Sequence, residues 1–78
     1  MSTRLNQDPA RLRRRRVEAG LTQKDLARLA EVTKGHMSLV EGGRRGASPA
    51  LLKRLAGALN CEIADLMPPE LATAGSAA

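Results

Sequence analysis

The chain has no Phe, Tyr or Trp, one cysteine (Cys61) and one histidine (His36). Without aromatic rings there is no platform for base stacking, which excludes the single-strand binding modes that depend on it. One cysteine excludes an intrachain disulfide, and Cys61 with His36 alone cannot build a structural zinc site. The same scarcity argues against an enzyme. One His, one Cys and no clustered carboxylates supply neither a nucleophile–base pair nor a metal constellation, so no cofactor or metal is expected. No apolar run approaches the length of a membrane span, and the N-terminus lacks the apolar core of a signal peptide. A cytoplasmic protein without membrane association, its Cys61 reduced, is the expectation.

Seventy-eight residues suit one domain, near the small end of what folds without a disulfide or metal. Its core must be built from Leu, Val, Ile, Met and Ala. Hydrophobic content of 42% and charged content of 27% fit an ordinary globular chain. The net charge is +5, and its placement says more than its size. Residues 1–45 hold 11 Lys/Arg against 5 Asp/Glu, a net of +6, whereas residues 46–78 hold 2 against 3, a net of −1. One end of the molecule is made to meet a polyanion.

Asp8-Pro9 opens a first helix, with Asp8 as cap and Pro9 at the first helical position, where no N–H is needed. It runs through Arg13-Arg14-Arg15-Arg16 to Ala19 and stops at Gly20. Leu12 and Val17 form its modest apolar stripe, with Arg16 on the side of Leu12. Arg13 and Arg14 are read either as a solvated face or as loose phosphate attraction. Thr22-Gln23-Lys24-Asp25 is a variant capping box starting a second helix, with Leu26, Ala27, Leu29 and Ala30 as its packed side. Glu31-Val32 makes a short turn into Thr33. Two helices so joined predict a helix-turn-helix.

Thr33 caps the third helix. At about 100° per residue, Met37, Val40 and Glu41 fall on one side, Gly35, Ser38 and Leu39 on the other, and Lys34 and His36 flank. The apolar pair marks the buried side. The outward face suits base edges: lysine can donate to guanine, serine can pair with several edges, and leucine can cover a thymine methyl. His36 is read as a solvated side chain or a phosphate contact. Gly42-Gly43-Arg44-Arg45-Gly46-Ala47 forms a basic loop whose arginines are most simply phosphate ligands. Ser48-Pro49 caps a fourth helix carrying Leu51, Leu52, Leu55, Ala56 and Leu59, which Asn60 ends in a left-handed conformation. Cys61 packs as a small hydrophobe. Ile63, Leu66 and Met67 predict a short fifth helix ended by Pro68-Pro69.

The ordered set Leu12…Arg16, Gly20-Leu21-Thr22-Gln23, Leu26-Ala27, Val32-Thr33, Met37-Ser38, Glu41-Gly42-Gly43, Leu55-Ala56-Gly57-Ala58-Leu59 and Ile63-Ala64-Asp65-Leu66 resembles the lambda-repressor-like, Cro/phage-repressor-type (XRE) helix-turn-helix family over residues 9–67. The resemblance implies an all-α fold, a compact five-helix DNA-binding domain with the helix-turn-helix at helices two and three. The domain is expected over residues 8–67, after a flexible arm at 1–7 and before a disordered tail at 68–78. The resemblance further implies that Thr22 and Gln23 touch a phosphate and brace the reading helix. Lys34, Gly35 and Leu39 occupy base-reading positions, with Ser38 beside them. Arg16 and Glu41 are implied to form an ion pair between helices one and three. Three positions depart from the family's pattern. Glu31 stands where glycine is frequent, at a cost of roughly 1 kcal/mol if left-handed. Gly35 replaces a side-chain reader, and Glu62 stands in the slot of a serine or aspartate cap.

The expected function is that of a sequence-specific double-stranded DNA-binding transcriptional regulator, a repressor, working as a homodimer on a palindromic operator. Thr22, Gln23, His36, Arg44, Arg45, Arg13 and Arg14 are the expected phosphate contacts. Leu66, Met67 and Leu71 are the candidate dimer surface. The alternative is an antitoxin or co-regulator whose C-terminal helix also grips a small partner protein.

Overall fold

The computed structural model describes residues 6–69, an all-α arrangement of four helices and a final 3₁₀ turn. Helix α1 spans Pro9–Glu18, α2 Gln23–Leu29, α3 Lys34–Glu41 and α4 Pro49–Leu59, with the 3₁₀ turn at Ile63–Leu66. Each α-helix begins as its sequence dictates. The side chains of Asp8, Thr22, Thr33 and Ser48 accept from backbone N–H groups of the first turn, which would otherwise lack partners. Thr22 and Asp25 complete the reciprocal box at 3.0 and 3.1 Å. Donation to the Asp25 carboxyl from Thr22, its backbone N–H first and its hydroxyl second, holds that carboxyl below the usual carboxylate range.

All four helices also end alike. Gly20, Glu31, Gly43 and Asn60 take positive φ, and the next residue's N–H reaches back to a carbonyl five residues earlier. These bonds are Leu21 to Arg16, Val32 to Ala27, Arg44 to Leu39 and Cys61 to Ala56, at 2.9–3.1 Å. In this motif the residue after the left-handed one often closes an apolar contact. Leu21, Val32 and Cys61 do so, packing against the core. Arg44, the fourth, is exposed. The departure at Glu31 is therefore real, since its φ is 62° without the freedom of glycine.

Leu12, Leu26, Met37, Leu55 and Leu66 are the large side chains at the centre, all fully buried. Three expectations are corrected here. Val17 is 60% exposed; five residues beyond Leu12, it lies about 140° around the helix and cannot share its stripe. Leu29 is 51% exposed. It sits about 110° from the middle of the side that Leu26, Ala27 and Ala30 bury. The fifth helix is one turn of 3₁₀, in which Asp65 N–H and Met67 N–H donate three residues back, and Ile63 stays 38% exposed. With Pro68 following at once, no α-helical ladder has room to form. Asp65 closes the turn from within by accepting from Glu62 N–H at 2.9 Å.

The N-terminal boundary also moves. Asn6 and Gln7, expected in a loose arm, belong to the folded domain, with the Gln7 side chain completely buried. Asp8 N–H donates to Leu66 O at 2.7 Å, which ties the start of α1 to the 3₁₀ turn. Residues 1–5 of the arm, and residues 70–78 of the tail, lie outside the described residues. No helix among the described residues is long and apolar enough to cross a membrane.

One charged contact joins α1 to α3. Arg16 donates from Nε to Glu41 Oε2 and from Nη2 to Glu41 Oε1, both at 2.8 Å, and from Nη1 to Leu21 O at 2.8 Å. The two side chains are 14% and 4% exposed, so neither charge is left to water. The bond from Glu41 holds the Arg16 guanidinium above its ordinary range, against the opposing effect of burial. Parallel, two-pronged geometry is the strongest form such a pair takes.

Two stability changes follow. Glu41→Ala strands a buried guanidinium and should cost about 3 kcal/mol. Urea unfolding followed by far-UV circular dichroism will read it; a midpoint equal to wild type would mean the pair is not structural. Glu31→Gly should stabilise by up to about 1 kcal/mol, relief of the left-handed strain outweighing added freedom of the unfolded chain. An unchanged or lower midpoint would show that Glu31 carries no strain.

Candidate nucleic-acid interface

Helix α3 is eight residues long and turns one side entirely inward. Met37 and Val40 are fully buried, and Glu41 nearly so because Arg16 receives it. Lys34, Gly35, Ser38 and Leu39 are all exposed, and His36 is half-buried. This is the division that the helical period predicts. Thr33 Oγ1 accepts from His36 N–H at 3.0 Å, fixing the first turn from which Lys34 projects.

Two glycines of this region differ in their reason. At Gly42 a Cβ would stand 3.1 Å from Ser38 O, so a side chain there would need the helix end to give by a few tenths of an ångström. At Gly35 a Cβ would meet only Thr33 Oγ1, at 4.0 Å. Nothing inside the protein excludes a side chain there, although glycine weakens a helix relative to alanine. Its absence matters only to something approaching from outside.

Around α3 the polar groups sort by position. Gln23 is half-buried, with Nε2 donating to Glu41 Oε1 at 3.3 Å, so it braces the same carboxylate that Arg16 holds. Thr22 is exposed, its hydroxyl oxygen and N–H both engaged with Asp25. A cleft of about 310 Å3 is lined by Arg13, Arg16, Gln23, Ser38, Glu41 and Gly42, which brings Arg13 beside the α3 face. The four consecutive arginines step around α1, and only some share this side. Arg14 lines a separate hollow with Arg11, Arg15, Glu18 and Asp65. In that hollow Arg15 lies 3.6 Å from Asp65, and Arg11 donates to Met67 O at 3.3 Å. Arg14 is thus not gathered with the α3 residues, whereas Arg44 and Arg45 are exposed directly beyond its C-terminus.

The dimer candidates fare unequally. Leu66 is fully buried within its own domain and presents nothing to a second copy. Met67 is half-buried, and Leu71 lies outside the described residues. Sequence reasoning missed Gln7, whose amide holds the loop after α3, and Arg54, which donates to Ala30 O at 2.9 Å and closes the end of α2. Neither has a local signal, because each partner is distant in the chain. Among the described residues no group of His, Cys, Asp and Glu could hold a metal ion. Cys61 is half-buried, and that burial pushes its thiol up from the usual range.

Residues 10–67 match the profile of a family described as a helix-turn-helix domain. The competence pilus inhibition repressor of Acinetobacter baylyi is 40% identical over 51 residues, 65% of this chain. The chain spans 46%, about half, of that relative's length. The clp gene regulator ClgR of Corynebacterium glutamicum superposes with a TM-score of 0.72 at 35% identity, covering 87% of this chain and 69% of its own. The restriction-modification controller protein C.AhdI of Aeromonas hydrophila gives 0.73 at 36% identity, covering 76% and 89%. With the match spanning most of the sequence and the fold shared, this chain belongs to the helix-turn-helix domain family, of the XRE type, a family of transcription regulators.

Proposed function

We propose that this protein is an intracellular, sequence-specific double-stranded DNA-binding regulator that represses transcription by reading the major groove with α3. The observation that carries the reading is the outward face of α3. Lys34, Gly35, Ser38 and Leu39 are exposed together on a helix whose other side is locked inward by Met37, Val40 and a paired Glu41. Lys34 donates to guanine acceptors, Ser38 to a neighbouring edge, and Leu39 covers a thymine methyl. Gly35 lets the first turn approach closely. Thr22, Gln23, His36, Arg13, Arg44 and Arg45 supply the phosphate contacts that set the register. Arg14, on the other flank of α1, adds only to the general positive field.

The repressor sense draws on the relative named as one. A single reading helix of this size covers few base pairs, so the protein works as a homodimer on two half-sites about 34 Å apart. Met67, half-buried just after the 3₁₀ turn, and Leu71, from the sequence alone, remain the candidates for that contact.

Selection of bound sequences from a random duplex pool tests the reading as a whole: a palindromic consensus is expected, and no enrichment would overturn it. Lys34→Ala should weaken binding to the selected duplex by roughly 1–3 kcal/mol, at an unchanged melting temperature. An equal loss on unrelated DNA would reduce Lys34 to a phosphate contact. The double variant Arg44→Ala/Arg45→Ala should weaken all duplexes alike and lower the slope of log K against log salt by about two. A slope identical to wild type would remove the loop from the interface.

A further inference from the structure

Gln7 lies just before the cap of α1, in a stretch with no chemistry of its own, yet its side chain is fully buried. Nε2 donates to Val40 O at 3.0 Å and to Arg45 O at 2.7 Å, and Oε1 accepts from Ala47 N–H at 2.9 Å. Both donors and one acceptor site of the amide are thereby used. Its neighbour Asn6 donates from Nδ2 to Ala47 O at 2.8 Å. These partners bracket one segment. Val40 is in the last turn of α3, and Arg45 and Ala47 belong to the loop that bears both exposed arginines.

Apart from the Ala47 side chain, which is buried in the core, that loop has little else to hold it. Past the bond from Arg44 N–H to Leu39 O, no backbone–backbone hydrogen bond among the described residues fixes it until Ser48 O accepts from Leu52 N–H. Gly43 and Gly46 widen the paths open to it. The backbone bonds of Arg45 and Ala47 go instead to Asn6 and Gln7. Bonds that replace bonds to water add only modest net stability, although removing the amide would strand the backbone groups it meets. What it adds is direction: three bonds at fixed angles specify one course for the chain.

We infer that Gln7 is a positioning residue for DNA, fixing the backbone from which Arg44 and Arg45 reach successive phosphates. The inference rests on the DNA-binding reading above. A preset loop loses less freedom when it binds than one that must be ordered by the ligand.

Gln7→Met keeps the length and removes the hydrogen bonds. Binding to a short mixed-sequence duplex is measured by anisotropy across a salt series, at a temperature where circular dichroism shows the variant folded. Affinity should fall about tenfold near 0.1 M salt, and the salt slope should drop by about two, to that of Arg44→Ala/Arg45→Ala. In the background of that double variant, Gln7→Met should have no further effect, while Lys34→Ala should still add its full loss on the selected duplex. A wild-type slope, or a loss that adds to the arginine changes, would overturn the inference while leaving the DNA reading intact. Failure of the wild-type protein to bind any duplex would overturn both. If Gln7→Met does not fold, Asn6→Ala replaces it, releasing only the Ala47 carbonyl. A smaller fall in slope that vanishes without the two arginines is then expected, and an unchanged slope counts against the inference.

Discussion

The bidentate contact between Arg16 and Glu41 governs the geometry of this domain. Helix α3 has only two large apolar side chains on its inner side, Met37 and Val40, and two greasy contacts tolerate some rotation about the helix axis. A carboxylate held at 2.8 Å by two guanidinium nitrogens does not. Turning α3 by even a fraction of a step would pull Glu41 from Arg16 and leave each buried charge without its counter-charge, which is far costlier than a shifted methyl contact. The pair's contribution is thus mainly to orientation. Gln23 adds a third hydrogen bond to the same carboxylate from the start of α2, so the elements surrounding the outward face of α3 meet at one acceptor.

The absence of aromatic side chains fits this division of labour. A core of Leu, Ala, Val and Met fills space with small, flexible units, and such cores specify shape less sharply than they confer stability. Uniqueness has to come from elsewhere. Here it comes from directional bonds at element ends: four side-chain caps, four left-handed terminations and the buried Arg16–Glu41 pair. Three of the terminations return an apolar residue to the core, and the fourth releases Arg44 outward. The same backbone device therefore serves packing at three corners and exposes a cation at the one beside α3.

What could be read from sequence divides along physical lines. Caps, stops and the inward side of α3 were legible because each depends on residues within a turn of one another. Thr33 with His36, and Met37 with Val40, are local facts. Val17 and Leu29 are apolar without being buried, and their angular positions already set them apart from Leu12 and Leu26. The fifth helix failed on length, since Pro68 leaves space for only a single turn. The candidate site was legible in its helix and less so in its surroundings. The arginine run looks uniform in one dimension, but helical geometry sends Arg13 towards α3 and Arg15 towards Asp65. Gln7 could not be found at all, because a polar residue is buried only where a loop 33–40 positions away offers it partners.

That long-range bracing bears on how rigid a small domain needs to be at its functional edge. An exposed arginine has many rotamers, and fixing its stem does nothing to its head. Fixing the stem does decide which positions the head can reach without moving backbone, and backbone is the costlier element to order. The loop after α3 combines two glycines with two arginines, a composition that alone would favour a mobile tether. Gln7 and Asn6 convert it into a fixed ledge, reached from the opposite end of the sequence. The fold thus anchors both halves of its positive surface, α3 through a buried ion pair and the loop through a buried amide, and leaves only side-chain tips to adapt.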